Sequence, residues 1–533
     1  MGQPDERHLR VPELIPYDIF KMKNSMTRTY YISALAGILT TFMLQGCYKV
    51  SPHGYKKLAP ITINATSDTI NVNLGTELVY NGLDIVSSKE TTFQWAYGQV
   101  KTGTVPEQHQ FEKMEVISTS RTINYTFSKV GSFLLRLRVD NGESLEFKYF
   151  TLNVNSGYDE GVAILSNDGD GNGSLTFIKT LTAEESAKGE QQVFTNIFSV
   201  EGKTLKNGTS LYISDNTYSK ITYSGFLIGT NDEDGTIYHM DCKTFELYMT
   251  AKMKDFGSYC EEFGGEYAED KASFGCFFKS ADGRLFRYDM NGGFISEITD
   301  APFKITRIFD GTTKGTATTA KSTRYPLFYD SSTIGIRKSA SAGIRTNSEE
   351  GWEIVNAGAQ RVSSNAYIHV LFRSKSDPTS YKTKVASSSL SAWATKTEEI
   401  NGESVKMDVE YPFTTASLKM DSHSKILGNR VSSDVYYTYD NAIYRWSLTS
   451  APGNNPAIKL PAGEQIRDIA TNFKGRKASD GEDRLYVATY NPSRSGDHKG
   501  SLYVYRYSDD TLVASYEGIC DDPSSVIYKY RIN

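Results

Sequence analysis

The residues best spaced for chemistry in this 533-residue chain are Asp168-Gly169-Asp170-Gly171-Asn172-Gly173. Oxygen donors at the first, third and fifth positions, with glycine at the sixth, form the opening half of a calcium loop. The twelfth position, where a bidentate carboxylate closes such a site, is Lys179. Two readings stand. One is a plain hairpin turn, favoured by the missing twelfth ligand. The other is a structural calcium ion held by Asp168, Asp170 and Asn172. Hydrolytic chemistry has no comparable signal. A serine nucleophile needs a base in reach, and no Gly-x-Ser-x-Gly elbow occurs. His239, His369, His423 and His498 are scattered, and the 63 acidic residues single out no pair for glycoside hydrolysis. No residue is therefore assigned a catalytic role, and binding is the expectation over catalysis.

Aromatic rings offer a different chemistry, stacking on a sugar ring or a peptide side chain. The candidates are Trp393, in Leu390-Ser-Ala-Trp393-Ala, and Tyr267. Both fall in segments that read as long loops, 382–407 and 258–271. A third long loop spans 491–500. Loops carry function more often than the strands that hold them. Trp393 could equally fill a boundary between structural units. Beyond Cys47, the cysteines are Cys242, Cys260, Cys276 and Cys520. They allow three pairings, and free buried thiols are the alternative. Their spacing matches no Cys-x-x-Cys zinc site.

The elements that would position these residues are strands. The chain holds 35 Tyr and 26 Phe, and aromatic side chains suit a pleated, half-buried surface. A net charge of -5 leaves no basic footprint for nucleic acid. From 61 to 155 the pattern alternates, as in Ile70-Asn-Val-Asn-Leu74 and in Phe133, Leu135, Leu137 and Val139 with Arg136 and Arg138 between them. That alternation predicts half-buried strands. About 100 residues of short strands with a buried Trp95 predict an immunoglobulin-like sandwich.

From 157 to 533 a hairpin recurs: an apolar strand, a turn rich in Gly, Asp and Asn, then a second strand. Instances are Gly161–Ser166 with Leu175–Ile178, Gly225–Thr230 with Ile237–Met240, Gly275–Phe278 with Leu285–Tyr288, Val435–Tyr439 with Ile443–Trp446, and Leu485–Tyr490 with Leu502–Tyr505. One long gap holds weaker candidates at Leu327–Tyr329, Ile334–Ile336 and Tyr367–Phe372. Hairpins at near-regular spacing predict a β-propeller of about seven blades, with six or eight open. A pair of further sandwiches is the competing arrangement. The fold class is all-β throughout.

The N-terminal region reads as an export signal. An apolar run, Tyr30 to Leu44, follows Lys21, Lys23 and Arg28 and ends at Leu44-Gln45-Gly46-Cys47. A basic head, a short apolar core and a small-residue cleavage site make a secretory signal. The core is shorter than the ~20 residues a membrane span needs. Residues 1–46 are thus expected to be upstream residues plus signal, with 47–60 a polar tether. Translation could start at Met22 or Met26.

Two resemblances follow from these residues. Leu-Gln-Gly-Cys47 resembles the bacterial lipobox, which implies lipidation at Cys47 and a membrane anchor. Trp95, Tyr97, Gly98, Gly131, Phe133, Leu137, Val139 and Asp140 resemble the strand motifs of the PKD-type domain, with Ala96 and Gln99 where that family's aspartates stand. The whole arrangement is similar to PKD-like lipoproteins of Bacteroidetes that accompany SusC/SusD-type uptake systems. That resemblance implies an outer-membrane, lipid-anchored accessory protein. It would capture nutrient oligomers, glycan or peptide, or pack onto a SusC/SusD-like transporter. The cell surface is the expected location. Tyr48, Lys49 and Val50 replace the acidic residues common after the lipidated cysteine, which keeps the periplasmic face open. An envelope hydrolase or lyase is the alternative.

Overall fold

The structure, a computed structural model, describes residues 58–530 except 100–113, 199, 201, 215–216, 219–220, 223, 271–272, 312–324, 338–342, 363–364, 388–389, 391, 402, 429–433, 448–449 and 473–482. The expected signal, Cys47 and most of the tether lie outside the described residues.

Among the described residues, strands from 61 to 155 pair only with one another. Five form one sheet in the order Thr69–Asn73, Leu145–Asn155, Gly131–Asp140, Thr92–Gln99 and Glu115–Ser118. Two short pairs complete the sandwich: Ile61–Ala65 with Leu83–Ser87, and Glu77–Tyr80 with Ile123–Thr126. Phe133, Leu135, Leu137 and Val139 all point into the core, as the alternation predicts. On the opposite face Arg136 lies over the Phe147 ring and Arg138 pairs with Asp140 at 2.7 Å. Trp95 is fully buried, and its Nε1 donates to the Ser120 carbonyl at 3.1 Å.

Seven four-stranded antiparallel sheets follow among the described residues, and they are propeller blades. The recurring hairpins of the sequence are the middle two strands of blades 1, 2, 3, 6 and 7. The weaker candidates supply both middle strands of blade 4, Tyr325–Tyr329 and Thr333–Ile336, and one of blade 5, Asn365–Ser374, whose partner Ser380–Ser387 the sequence did not mark. The innermost strands of blades 2 to 7 are Gly208–Ser214, Cys260–Asp270, Arg307–Gly311, Trp352–Val362, Ile426–Gly428 and Gln465–Thr471. Each lies against the next around an axis. Blade 1 takes its innermost strand, Asp522–Lys529, from the far end of the chain, where it pairs with Gly161–Asn167. That strand also lies between Gln465–Thr471 and Gly208–Ser214, so the ring closes.

Apolar side chains fill the spaces between blades. Leu165 and Phe177 of blade 1 meet Phe226 and Ile228 of blade 2, and Leu327 of blade 4 meets Val370 and Phe372 of blade 5. Burying each such side chain contributes about 1.5–3 kcal/mol. Because every blade has four antiparallel strands, each innermost strand starts on the same face, here called the upper face. The turns joining each blade's second and third strands share that face. The sandwich joins the lower face. Ser156 Oγ donates to the Lys243 carbonyl in the lower turn of blade 2, and Asn73 Nδ2 donates to Glu190 Oε2 at 3.3 Å.

Two expected loops are strands. Segment 258–271 is mostly the innermost strand of blade 3. Its alternation is broken by Glu261-Glu262 and Gly264-Gly265, which form irregular pairing with Ser273–Ser280. Segment 382–407 contains most of the third strand of blade 5 and an inserted hairpin, Thr395–Ile400 with Glu403–Asp408. This hairpin is almost wholly solvated, so it shows no apolar alternation. The third expected loop, 491–500, is a turn up to Lys499, where Gly500 begins the third strand of blade 7.

Candidate ligand-binding site

The upper mouth of the axis is built from the first residues of the innermost strands. Arg307 opens blade 4, and its Nε and Nη2 donate to both oxygens of Glu262 at 3.2 and 3.1 Å. This is the two-pronged geometry that suits guanidinium and carboxylate. Burial alone would raise the Glu262 pKa, but Arg307 and Lys425 outweigh it and hold the carboxyl below its usual range. Lys425 Nζ meets Asp468 Oδ1 at 2.5 Å, and Asp468 Oδ2 accepts the Val526 amide at 2.8 Å. Arg467 pairs with Asp522 at 2.5 Å. The mouth is a set of matched ion pairs that ties blades 3, 4, 6, 7 and 1 together.

From this mouth the connection between blades 5 and 6 runs outward as a strap, residues 418–425. Buried side chains grip its carbonyls. Arg307 Nη1 donates to Ser422 O at 3.0 Å. Asn356 is buried, and its Nδ2 donates to Asp421 O at 2.8 Å and Ser424 O at 2.7 Å. Its Oδ1 accepts the Tyr329 hydroxyl at 3.2 Å and the Ala357 amide at 2.8 Å. Every hydrogen-bonding position of Asn356 that the strap requires is thus filled, which fixes the strap in one place.

The fixed strap walls a cleft of about 390 Å³ between blades 4 and 5. Ile354, Leu418 and Met420 supply apolar lining, and Asp330, Glu353, Arg373 and Asp421 supply charge. Tyr381 also lines it, with its ring stacked on Phe413 at 10°. Glu353 and Arg373 pair with each other. The volume falls within the ordinary range of small-ligand pockets. Across the strap a second cleft of about 250 Å³ lies between blades 6 and 7, lined in part by Lys425, Asp440, Arg467 and Asp468. The exposed His423 stands on the strap beside it.

The sequence-derived candidates lie elsewhere and are not brought together. Asp168-to-Gly173 is the upper turn of blade 1. Asp168 Oδ1 accepts the amides of Asp170 and Asn172 at 2.9 and 2.7 Å, and Oδ2 accepts Asn172 Nδ2 at 2.7 Å. These contacts with Asn172 hold the Asp168 carboxyl below its usual range. Lys206 Nζ donates to Asn172 Oδ1, and Lys179 pairs with Glu185 at 2.6 Å. Asp168 and the Asn172 amide are thus engaged within the turn, and the Lys206 ammonium takes the Asn172 oxygen that a calcium ion would use. Among the described residues no cluster of three or more His, Cys, Asp or Glu is arranged to hold a metal.

Tyr267 is not presented to ligand. It is 1% exposed, packed on Phe277 within the core between blades 3 and 4. It sits mid-strand, where side chains alternate into the neighbouring blade. Trp393 is half-buried at the base of the inserted hairpin. Phe372 packs edge-on at 5.9 Å, and Lys384 Nζ lies 4.9 Å from the ring centre. Lys384 also pairs with Glu349 and Asp408. Trp393 therefore fills a structural seam. The four cysteines are all buried thiols. The cleft residues gave little sequence signal. Asn356, a polar residue inside an otherwise blade-forming strand, is the one position that stands out.

No family profile matches the chain, and no curated protein does. Among solved structures, it resembles a quinonprotein alcohol dehydrogenase-like protein from Bacteroides thetaiotaomicron at 13% identity and a TM-score of 0.40. That match covers 88% of this chain and 99% of the other. A chain of the Mitotic Checkpoint Complex matches at 11% identity and a TM-score of 0.35, covering 62% of this chain and 87% of the other. These likenesses are remote, and the propeller is read from the chain's own seven sheets.

Proposed function

We propose that this chain is a lipid-anchored accessory protein of the outer membrane that captures nutrient oligomers, glycan or peptide. It would serve a SusC/SusD-type uptake complex and sit on the cell surface through a lipid on Cys47. The observation that carries the reading is the cleft between blades 4 and 5, with its wall fixed by Arg307 and Asn356. A wall built before ligand arrives lowers the ordering cost of binding. The placement of the cleft also supports capture. It opens on the upper face, whereas the sandwich that leads back to Cys47 joins the lower face. Held by its N-terminal end, the protein presents the cleft away from its anchor. The carboxylates there favour binding over catalysis: Asp330 and Asp421 accept amides of their own turns, and Glu353 is paired with Arg373.

The test is capture through a C-terminal tag from outer membranes in mild detergent. Co-recovery of a SusC/SusD-like pair in near-equal amount is the expected result. Recovery of the protein alone sinks the uptake-complex reading. In parallel, Cys47→Ser should release the protein from the membrane fraction.

A further inference from the structure

The cleft between blades 4 and 5 has an acidic rim and an apolar interior, and its aromatic rings are covered. Three carboxylates, Asp330, Glu353 and Asp421, face one guanidinium, Arg373. The pairing of Arg373 with Glu353 cancels one charge of each sign, which leaves two negative groups. Asp330 Oδ1 accepts the amides of Ser332 and Thr333, both at 2.7 Å, and Asp421 Oδ1 accepts those of His423 and Ser424, both at 2.9 Å. In each case the turn uses Oδ1; Asp330 has no lysine or arginine paired with it among the described residues, and the one basic side chain at Asp421 is the exposed imidazole of His423, 4.0 Å from Oδ1. Together with these groups Ile354, Leu418 and Met420 line a space of about 390 Å³ and give it apolar surface. A neutral sugar ring would be met by an open aromatic face. Here Tyr329 and Tyr381 are both buried, and Tyr381 is already stacked on Phe413.

We propose that the cleft takes the basic side chain of a peptide, a lysine or arginine. The aliphatic stem lies along the apolar interior, and the cationic head sits between Asp330 and Asp421. Long basic side chains bury a stem and keep a charged tip at a polar edge in this way. The inference rests on the binding reading above and narrows its ligand from glycan or peptide to peptide.

The test is titration calorimetry on the detergent-solubilised full chain with three probes: trilysine, trialanine and maltotriose. Trilysine binds, trialanine binds at least about tenfold more weakly, and the trilysine affinity falls with added salt. Asp421→Asn and Asp330→Asn keep the Oδ1 acceptor that each turn needs and remove only charge. Each lowers trilysine affinity about fivefold to tenfold. Asp440→Asn, in the second cleft, does not. Trilysine affinity unchanged by both cleft variants overturns the proposal. Binding of maltotriose that Ser331→Trp abolishes, without trilysine binding, overturns the peptide assignment and leaves the binding role standing. Binding of none of the three overturns the assignment, and the cleft then loses its claim as the capture site.

Discussion

Tyr528 and Glu160 are joined by a 2.6 Å hydrogen bond, hydroxyl to carboxylate, between the two ends of the ring. Glu160 stands where the sandwich hands over to blade 1, and Tyr528 is on the strand that closes it. The next residue, Lys529, is buried and donates to the carbonyls of Tyr158 and Asp159 at 2.5 and 2.7 Å. Ring closure and the domain joint therefore share the same atoms. Tyr528→Phe removes one hydrogen bond to a charged acceptor and should cost about 1.5–3 kcal/mol. Urea unfolding of the propeller measures it. A loss under about 0.5 kcal/mol would mean that this hydrogen bond adds little to the hold on the closing strand.

His369 lies on the second strand of blade 5 and is 7% exposed. Burial pushes its imidazole down to about 4, from an ordinary value near 6.5. The unfolded chain binds this proton first, so the stability it contributes is present above pH 6.5 and is lost as pH falls toward 4. The loss is on the order of 3 kcal/mol. His369→Gln should flatten this part of the stability curve. An identical acid limb in the variant would assign the loss to other groups.

Gly265 and Gly142 offer a controlled comparison. Both have positive φ, +83° and +79°. A Cβ on Gly265 would lie 2.2 Å from the backbone nitrogen of Pro326 in blade 4, whereas one on Gly142 meets nothing within 4 Å. Gly142→Ala should cost about 1 kcal/mol, the conformational penalty alone. Gly265→Ala adds a clash with backbone that cannot rotate away, and the total should exceed about 2 kcal/mol. Equal losses in thermal unfolding would show that blades 3 and 4 can slide apart.

Trp95 is the largest side chain of the sandwich core. Trp95→Ala should destabilise that domain by about 3–5 kcal/mol. Calorimetry should show the sandwich transition moving down while the propeller transition stays, since each domain has its own core. A parallel shift of both would reveal one cooperative unit.

Cys260 and Cys520 are buried, and burial raises their thiols above the ordinary range. Cys242 and Cys276 are buried as well. Thiolate, not thiol, is the reactive form. A thiol reagent should label none of these four in the native protein and all four in guanidinium. Native labelling of any one would mean that its blade opens locally.

The middle hairpins of the blades were legible because two signals coincide there. Val435–Tyr439 and Ala442–Trp446 are apolar runs, and Asp440-Asn441 between them adopts the positive φ that a two-residue turn needs, at Asp440. The innermost and outermost strands lack one signal or the other. Ile426–Gly428 is three residues long, and Glu410–Thr414 is half solvated. Tyr267 reads as a loop residue because the glycines and glutamates near it disturb the alternation. The cleft was not legible at all. Asp330 and Asp421 look like ordinary turn residues, and only the ring places them across one space, 91 positions apart in the chain. Pairing between Gly161–Asn167 and Asp522–Lys529 is equally silent, since no local pattern encodes a partner more than 350 residues away.

That pairing sets an order of assembly. A chain emerging from its N-terminus completes blades 2 to 7 while blade 1 is still without its innermost strand. Until Asp522–Lys529 arrives, Gly161–Asn167 offers a bare apolar edge, and the array has two open ends. Such edges recruit strands from other molecules. The last eight residues of the closing strand thus act as a quality gate. A truncation that stops short of them yields not a shorter propeller but an unclosed, adhesive one, a natural target for proteolytic clearance.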